Sequence, residues 1–157
     1  MNDRHVALLN TFFEAFSKSD TDAMERCYHP EVSFGDPLFQ ELVGRDRVMA
    51  MWRLMLSRGS GIDVAYRDIT ADDFTGSARW TARYTFTSTG REVVNEVEAF
   101  FRFEDGLIVR HHDDFDFRNW SRMALGRPTG LLLGWTPMFR KTVRDRARQA
   151  LTEFQLS

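Results

Sequence analysis

Residues 110–120 read Arg-His-His-Asp-Asp-Phe-Asp-Phe-Arg-Asn-Trp and concentrate side chains able to move protons. A histidine titrates near neutrality, and a carboxylate in apolar surroundings can be drawn toward the same range. Together they can do acid/base work at neutral pH. In an extended segment successive side chains point to opposite faces. His111, Asp113, Phe115 and Phe117 therefore share one face, and His112, Asp114 and Asp116 share the other. The first set carries the aromatic rings and is expected to face inward. The second is wholly polar, as a solvated face should be. His111 and Asp113 are thus a candidate acid/base pair, and the alternative is a polar pair that only satisfies itself within a sheet.

A metal centre is the rival chemistry, but it needs three or four converging ligands. The inward face supplies His111 and Asp113, Asp36 could add a third, and His29 precedes its strand in the wrong direction. Neither a metal nor another cofactor is expected. Asp36 stands before Pro37, where an aspartate often bonds nearby backbone to shape a turn.

The elements that must position these residues follow from the hydrophobic period. Val6, Leu9, Phe13 and Phe16 recur at helical spacing, with Asn2 or Asp3 able to cap the start. Asp20 or Asp22 can cap a short second helix that ends before Pro30. Residues 31–39 then form a short strand closed by a proline turn. Residues 44–59 make a third helix, with Val48, Met51, Trp52 and Met55 as its buried stripe and Gly59 as its stop. From residue 62 the period changes to two. Strands are expected over 62–70, 77–89, 93–104 and 107–117, the last three as an antiparallel meander. A short helix after Phe117 breaks at Gly126 and Pro128, and a final helix runs over 138–154. Helices followed by an antiparallel sheet make an α+β protein.

The chain has 157 residues, 43% of them hydrophobic and 28% charged, which suits one domain with a real core. Aromatic residues reach 13%, enough to line a cavity as well as fill a core. A net charge of -2 gives no global field to recruit nucleic acid. The longest apolar stretch, Gly130–Trp135, is too short to span a bilayer. It would need cover, from the pocket mouth or from a second subunit. The N-terminus lacks a signal-peptide pattern, and Cys27 has no partner for an internal disulfide, so cytoplasmic residence is expected.

The element order, with Tyr28–Pro37, Leu42–Trp52 and Phe100–Asp116, resembles the nuclear transport factor 2-like superfamily over roughly residues 5 to 120. That superfamily includes ketosteroid isomerases, limonene epoxide hydrolases and polyketide cyclases of the SnoaL type. The resemblance implies a cone-shaped fold, in which a curved antiparallel sheet wraps on three N-terminal helices. Residues 118–157 would be a helical C-terminal extension of a single domain spanning 1–157. It also implies an apolar pocket and frequent homodimers. The isomerases place a base aspartate in an Asp-Pro turn, which matches Asp36-Pro37, so Asp36 is a pocket base or a turn former. The two isomerase residues that donate hydrogen bonds to the reacting oxygen match Phe12 and Ala99, which cannot donate. The hydrolases' aspartate matches Asp113, but their arginine and second aspartate match Trp80 and Ala82. The implied pocket would be lined by Phe12, Phe34, Trp52, Trp80, Tyr84, Ala99, Phe101 and Phe115, with Asp113, His111 and Asp36 as its reactive groups. Its occupant would be a small apolar molecule. Either the protein acts on it by acid/base chemistry of isomerase, cyclase or hydrolase type, or it is a non-catalytic binder or an interaction module.

Overall fold

The computed structural model of the chain describes residues 1–57, 61–126 and 137–156. Its elements are α1 (Asp3–Ser17), α2 (Thr21–Cys27), β1 (Tyr28–Gly35), β2 (Leu42–Val43), α3 (Arg45–Ser57), β3 (Asp63–Ala71), β4 (Thr75–Phe86), β5 (Arg91–Glu104), β6 (Leu107–Asp114), α4 (Phe117–Leu125) and α5 (Pro137–Leu156). The helix starts are set by side chains that accept from otherwise unpaired backbone amides. Asn2 caps α1 by accepting from His5, Asp20 caps α2 by accepting from Ala23, and Asp116 caps α4 by accepting from Asn119.

The strands form one sheet in the order β2-β1-β6-β5-β4-β3. The pairs are antiparallel except β1 with β6, which run parallel. The fold is α+β as expected, but the sheet is mixed rather than wholly antiparallel. Alternation identifies a strand and not its partner, and β1 is separated from β6 by the whole meander. β1 also starts earlier than expected. Pro30 lies inside it, where the β1–β6 register shifts between Tyr28 and Ser33, and a ladder interruption is a place where a strand tolerates proline. β6 is shorter than expected. It ends at Asp114, so Asp116 serves as a helix cap and Phe117 begins α4.

β5 shows why one face is buried. Val93, Asn95, Val97, Ala99, Phe101 and Phe103 point inward, while Glu96, Glu98, Phe100 and Arg102 point to solvent. Against the inner face α1 sets Leu9, Phe12, Phe13 and Phe16, and α3 sets Val48, Met49, Met51, Trp52 and Leu54. Each such side chain, fully buried, contributes about 1.5–3 kcal/mol. Further register shifts at Arg67/Thr70 and Arg102/Phe103 bend the ladders, which is how the sheet curves around the helices. Gly76 is needed for close packing there, since a Cβ would lie 2.9 Å from the Phe103 ring and 3.1 Å from Leu9.

α5 packs into this inner layer. Leu151 is fully buried, with Ala147, Ala150 and Phe154 against the main core and Val143 against a smaller cluster of Val93, Phe117, Trp120 and Ala124. Arg144 donates to the Pro37 carbonyl at 2.8 Å and Arg148 to the Gln40 carbonyl at 3.1 Å, so α5 holds the loop that carries Asp36. Gly59, Pro128 and the apolar stretch 130–135 lie outside the described residues. Among the described residues, no helix is long and apolar enough to cross a membrane.

Candidate active site

His111 and Asp113 sit on the inner face of β6, 1% and 2% exposed. His112 and Asp114 face outward and are exposed, so the strand register is the one the alternation predicts. His111 Nε2 lies 2.7 Å from Asp113 Oδ1. On the other side of the ring, Nδ1 lies 2.8 Å from the Tyr28 hydroxyl. Trp52 Nε1 donates to the Tyr28 oxygen at 3.0 Å, and Trp80 Nε1 donates to Asp113 Oδ1 at 3.4 Å. The network assigns its own protons. Burial pushes the Tyr28 phenol well above its ordinary range, so it keeps its hydrogen. Its oxygen already accepts from Trp52, so the hydroxyl donates to Nδ1 of His111. Nε2 then carries the ring hydrogen and donates to Asp113. Every polar atom of the histidine is used, and the imidazole is fixed in one tautomer behind the carboxylate.

An aromatic cage holds that ring. Phe101 lies 4.5 Å away centroid to centroid, Phe34 meets it edge-on at 5.0 Å and Phe12 at 5.6 Å, and Trp52 stacks at 6.0 Å. Ala99 stands opposite Asp113 on β5. Phe12, Phe34, Ala99 and Phe101 are therefore packed around the pair and do not line the open space beside it.

That space is a cavity of about 40 Å³. Of the pocket residues expected from sequence, Trp52, Trp80, Tyr84 and Phe115 line it, together with Asp36 and Asp113. Sequence reasoning did not assign Phe16, Leu38, Met55, Ile62, Asn95, Val97 or Trp120 to its wall. Nor did it find Tyr28, whose position between a strand and a helix end gave no signal of its partner 83 residues away. Asn95 could have been found. It is a lone amide at an inward position of a strand whose other inward residues are apolar.

Asp36 combines both roles that its position allows. Its Oδ1 accepts from the amides of Leu38 at 2.8 Å and Phe39 at 2.6 Å, which is turn chemistry. The same carboxyl also faces the cavity. Its pKa is raised to about 7: burial raises it most and repulsion from Asp113 adds to that, while the Phe39 and Leu38 amides and the Arg144 guanidinium pull it down. Two carboxyl groups thus share one small chamber in different settings. Asp113 is braced by a histidine and an indole, and Asp36 is poised to hold a proton below neutrality.

Among the described residues, no arginine or lysine lines the cavity. The positions of the hydrolase arginine and second aspartate are Trp80 and Ala82, both on the cavity wall. One group of potential metal ligands exists among the described residues, His29, Glu104 and Asp105, with ligand atoms within 4.8 Å of one another. Its carboxylates are exposed, and His29 Nδ1 is already taken by the Glu31 amide. A much larger concavity, about 770 Å³, is an open groove on the outer sheet face beside Ser77, Phe100, Arg110 and His112. It contains neither member of the buried pair.

No curated protein matches the chain in sequence. Among solved structures it is similar to a proposed polyketide cyclase from Xanthomonas campestris pv. campestris, with 24% identity, 77% of this chain and 96% of that one covered, and a TM-score of 0.67. It is similar to an LEH-like epoxide hydrolase from M. tuberculosis, with 22% identity, 84% and 92% covered, and a TM-score of 0.65. It is also similar to an NTF2-like protein of unknown function from Burkholderia pseudomallei K96243, with 22% identity, 78% and 98% covered, and a TM-score of 0.69. Identities this low establish a shared fold, the nuclear transport factor 2-like fold, and leave chemistry to the site itself. A family profile described as the SnoaL-like domain matches residues 9–111, from the middle of α1 to the buried histidine. By that match the chain belongs to the SnoaL-like domain family.

Proposed function

We propose that the protein is a cofactor-independent enzyme that performs acid/base chemistry, of isomerase, cyclase or hydrolase type, on a small and largely apolar molecule. The observation that carries this reading is the 2.7 Å contact between His111 Nε2 and Asp113 Oδ1 at the wall of a chamber that also holds Asp36, whose pKa stands at about 7. Asp113 is the general base. His111 positions it, and Asp36 is the proton donor below neutrality. The apolar lining of Phe16, Met55, Ile62 and Val97 fits a substrate with little polarity. A cavity of about 40 Å³ has room for a few waters at most, so a larger substrate enters by moving the wall. Cytoplasmic residence belongs to the same reading, supported by the single buried cysteine, Cys27.

A second reading is favoured by the outer face. Phe100 is 47% exposed beside the open groove, which suits an interaction module or the contact of a homodimer. Native mass spectrometry of freshly purified protein separates the readings by identifying what is retained. Turnover of that molecule by Asp113→Asn should fall roughly 10²- to 10⁴-fold, with little change in binding. Full turnover by the variant removes Asp113 as the base, and retention without conversion by the wild type favours a binding protein.

A further inference from the structure

The polar groups of the chamber are not all satisfied, and the unsatisfied ones are together. Asn95 is on β5, 8% exposed, and lines the cavity, yet among the described residues its side chain has no hydrogen-bond partner. Tyr84 on β4 also lines it. Trp120 Nε1 donates to the Tyr84 oxygen at 2.7 Å, which leaves the hydroxyl hydrogen without an acceptor among the described residues. The register places the two side by side: Ala82 pairs with Asn95 and Tyr84 with Val93, so Tyr84 and Asn95 are diagonal neighbours on the inner face. At that spacing long side chains on adjacent strands can reach a common atom. Burial holds the Tyr84 phenol above its ordinary range, so it stays a donor at any physiological pH.

We propose that Tyr84 and Asn95 form an oxygen-binding subsite, and that the substrate is a neutral molecule whose carbonyl oxygen accepts from both. This deepens the reading above and rests on the chamber being the substrate site. The Asn95 amide and the Tyr84 hydroxyl hydrogen both lack a partner among the described residues and both residues line one space, so together they offer donors to whatever occupies it. A carbonyl oxygen has two lone pairs and no hydrogen, which matches a hydroxyl donor and an amide NH2. The charge balance of the wall sets the rest. Asp36 and Asp113 face the same space with no arginine or lysine among the described lining residues, and Arg144 behind Asp36 is engaged with the Pro37 carbonyl, so a neutral ligand suits the wall better than a carboxylate or phosphate. The positions that donate in the isomerases are Phe12 and Ala99 here, both fully buried and without donors. Tyr84 and Asn95 are the donors this wall offers instead, farther along β4 and β5.

The test uses cyclopentanone labelled with ¹³C at the carbonyl, titrated into wild type, Asn95→Leu, Tyr84→Phe and Asp113→Asn. Methylenecyclopentane, which replaces C=O by C=CH2, is the apolar control. In the wild type the carbonyl resonance should move downfield on binding. In Asn95→Leu and Tyr84→Phe that movement should shrink and ketone affinity should fall roughly 2- to 10-fold per lost donor, while the control binds all proteins equally. Asp113→Asn should keep the shift, so the subsite stands or falls separately from the role of Asp113 as a base. Should Asn95→Leu not fold, Tyr84→Phe, which loses only a hydroxyl, carries the comparison. A resonance that does not move in the wild type, or that moves as far in both subsite variants as in the wild type, overturns the proposal. Loss of control binding together with ketone binding overturns it as well, because the wall and not the donors would then be what changed.

Discussion

The two ends of the chamber are built on opposite rules. At the His111 end both ring nitrogens, the Tyr28 hydroxyl, both indole N–H groups and Asp113 Oδ1 have partners, and Asp113 Oδ2 alone has none among the described residues. Trp52, Tyr28, His111, Asp113 and Trp80 form one hydrogen-bonded line inside a cage of rings. At the Tyr84 end a buried amide and a phenol hydrogen face the cavity with no partner among the described residues. A satisfied buried network rigidifies its members. Donors left unpaired on a cavity wall keep hydrogen-bonding capacity for a ligand. The difference teaches which end holds and which end receives: β6 fixes the geometry of Asp113, and β4 with β5 waits for an oxygen.

The largest effect should come from breaking the satisfied end. His111→Leu leaves the Asp113 carboxyl and the Tyr28 hydroxyl buried without their shared partner. Removing one member of a buried polar pair costs on the order of 3 kcal/mol or more. For a chain of this length that lowers the melting temperature by roughly 6–12 °C. Thermal unfolding by circular dichroism measures it. A loss below about 1 kcal/mol would mean that the line of hydrogen bonds does not act as a unit and that the two ends differ less than their geometry implies.

The sequence made one end far more legible than the other. His111 and Asp113 could be placed on one inward face because a strand has a strict period of two and Phe115 agreed with the inward side. Trp52 and Trp80 followed from helical and strand spacing in the same way. Tyr28 could not be found so, because its contact with His111 depends on the parallel pairing of β1 with β6, and pattern along one strand carries no information about which strand lies beside it. The β6–α4 boundary was misplaced for a related reason. Phe115 and Phe117 continue the alternation, but Asp116 accepts from the Asn119 amide, and a capping aspartate wins over two residues of period. That Asp36 serves turn and cavity at once was open in the sequence, since an Asp-Pro step reads as a turn whatever its carboxyl faces.

A smaller effect should appear with pH, and it belongs to the wall between the two ends. The folded-state pKa of Asp36 is about 7 against an ordinary 3.8. Between those values the folded chain binds more protons than the unfolded chain, so stability falls as pH rises across that window. The contribution is fully present below about pH 4 and is lost as pH passes through 7. Asp36→Asn keeps an oxygen to accept from Leu38 and Phe39 but has no proton to lose. Denaturant titrations at pH 5 and pH 8 should therefore show a smaller drop for the variant than for the wild type. An identical drop in both proteins would place the titrating group elsewhere and remove Asp36 as a proton donor near neutrality.

The smallest effect should come from the receiving end. Asn95→Leu takes out an amide that has no partner among the described residues and puts a side chain of similar size against Val97, Ile62 and Trp80 on the cavity wall. No hydrogen bond to another described residue is broken. Stability should then change by less than about 0.5 kcal/mol or rise slightly, in contrast to the loss in His111→Leu. Urea unfolding of the two variants side by side makes the comparison under one set of conditions. If Asn95→Leu were as destabilising as His111→Leu, the amide would be serving the fold through a partner of its own. The distinction between an end that holds and an end that receives would then have to be abandoned. A near-neutral Asn95→Leu that keeps the fold leaves ligand binding as the reason for a lone amide on an otherwise apolar inward face.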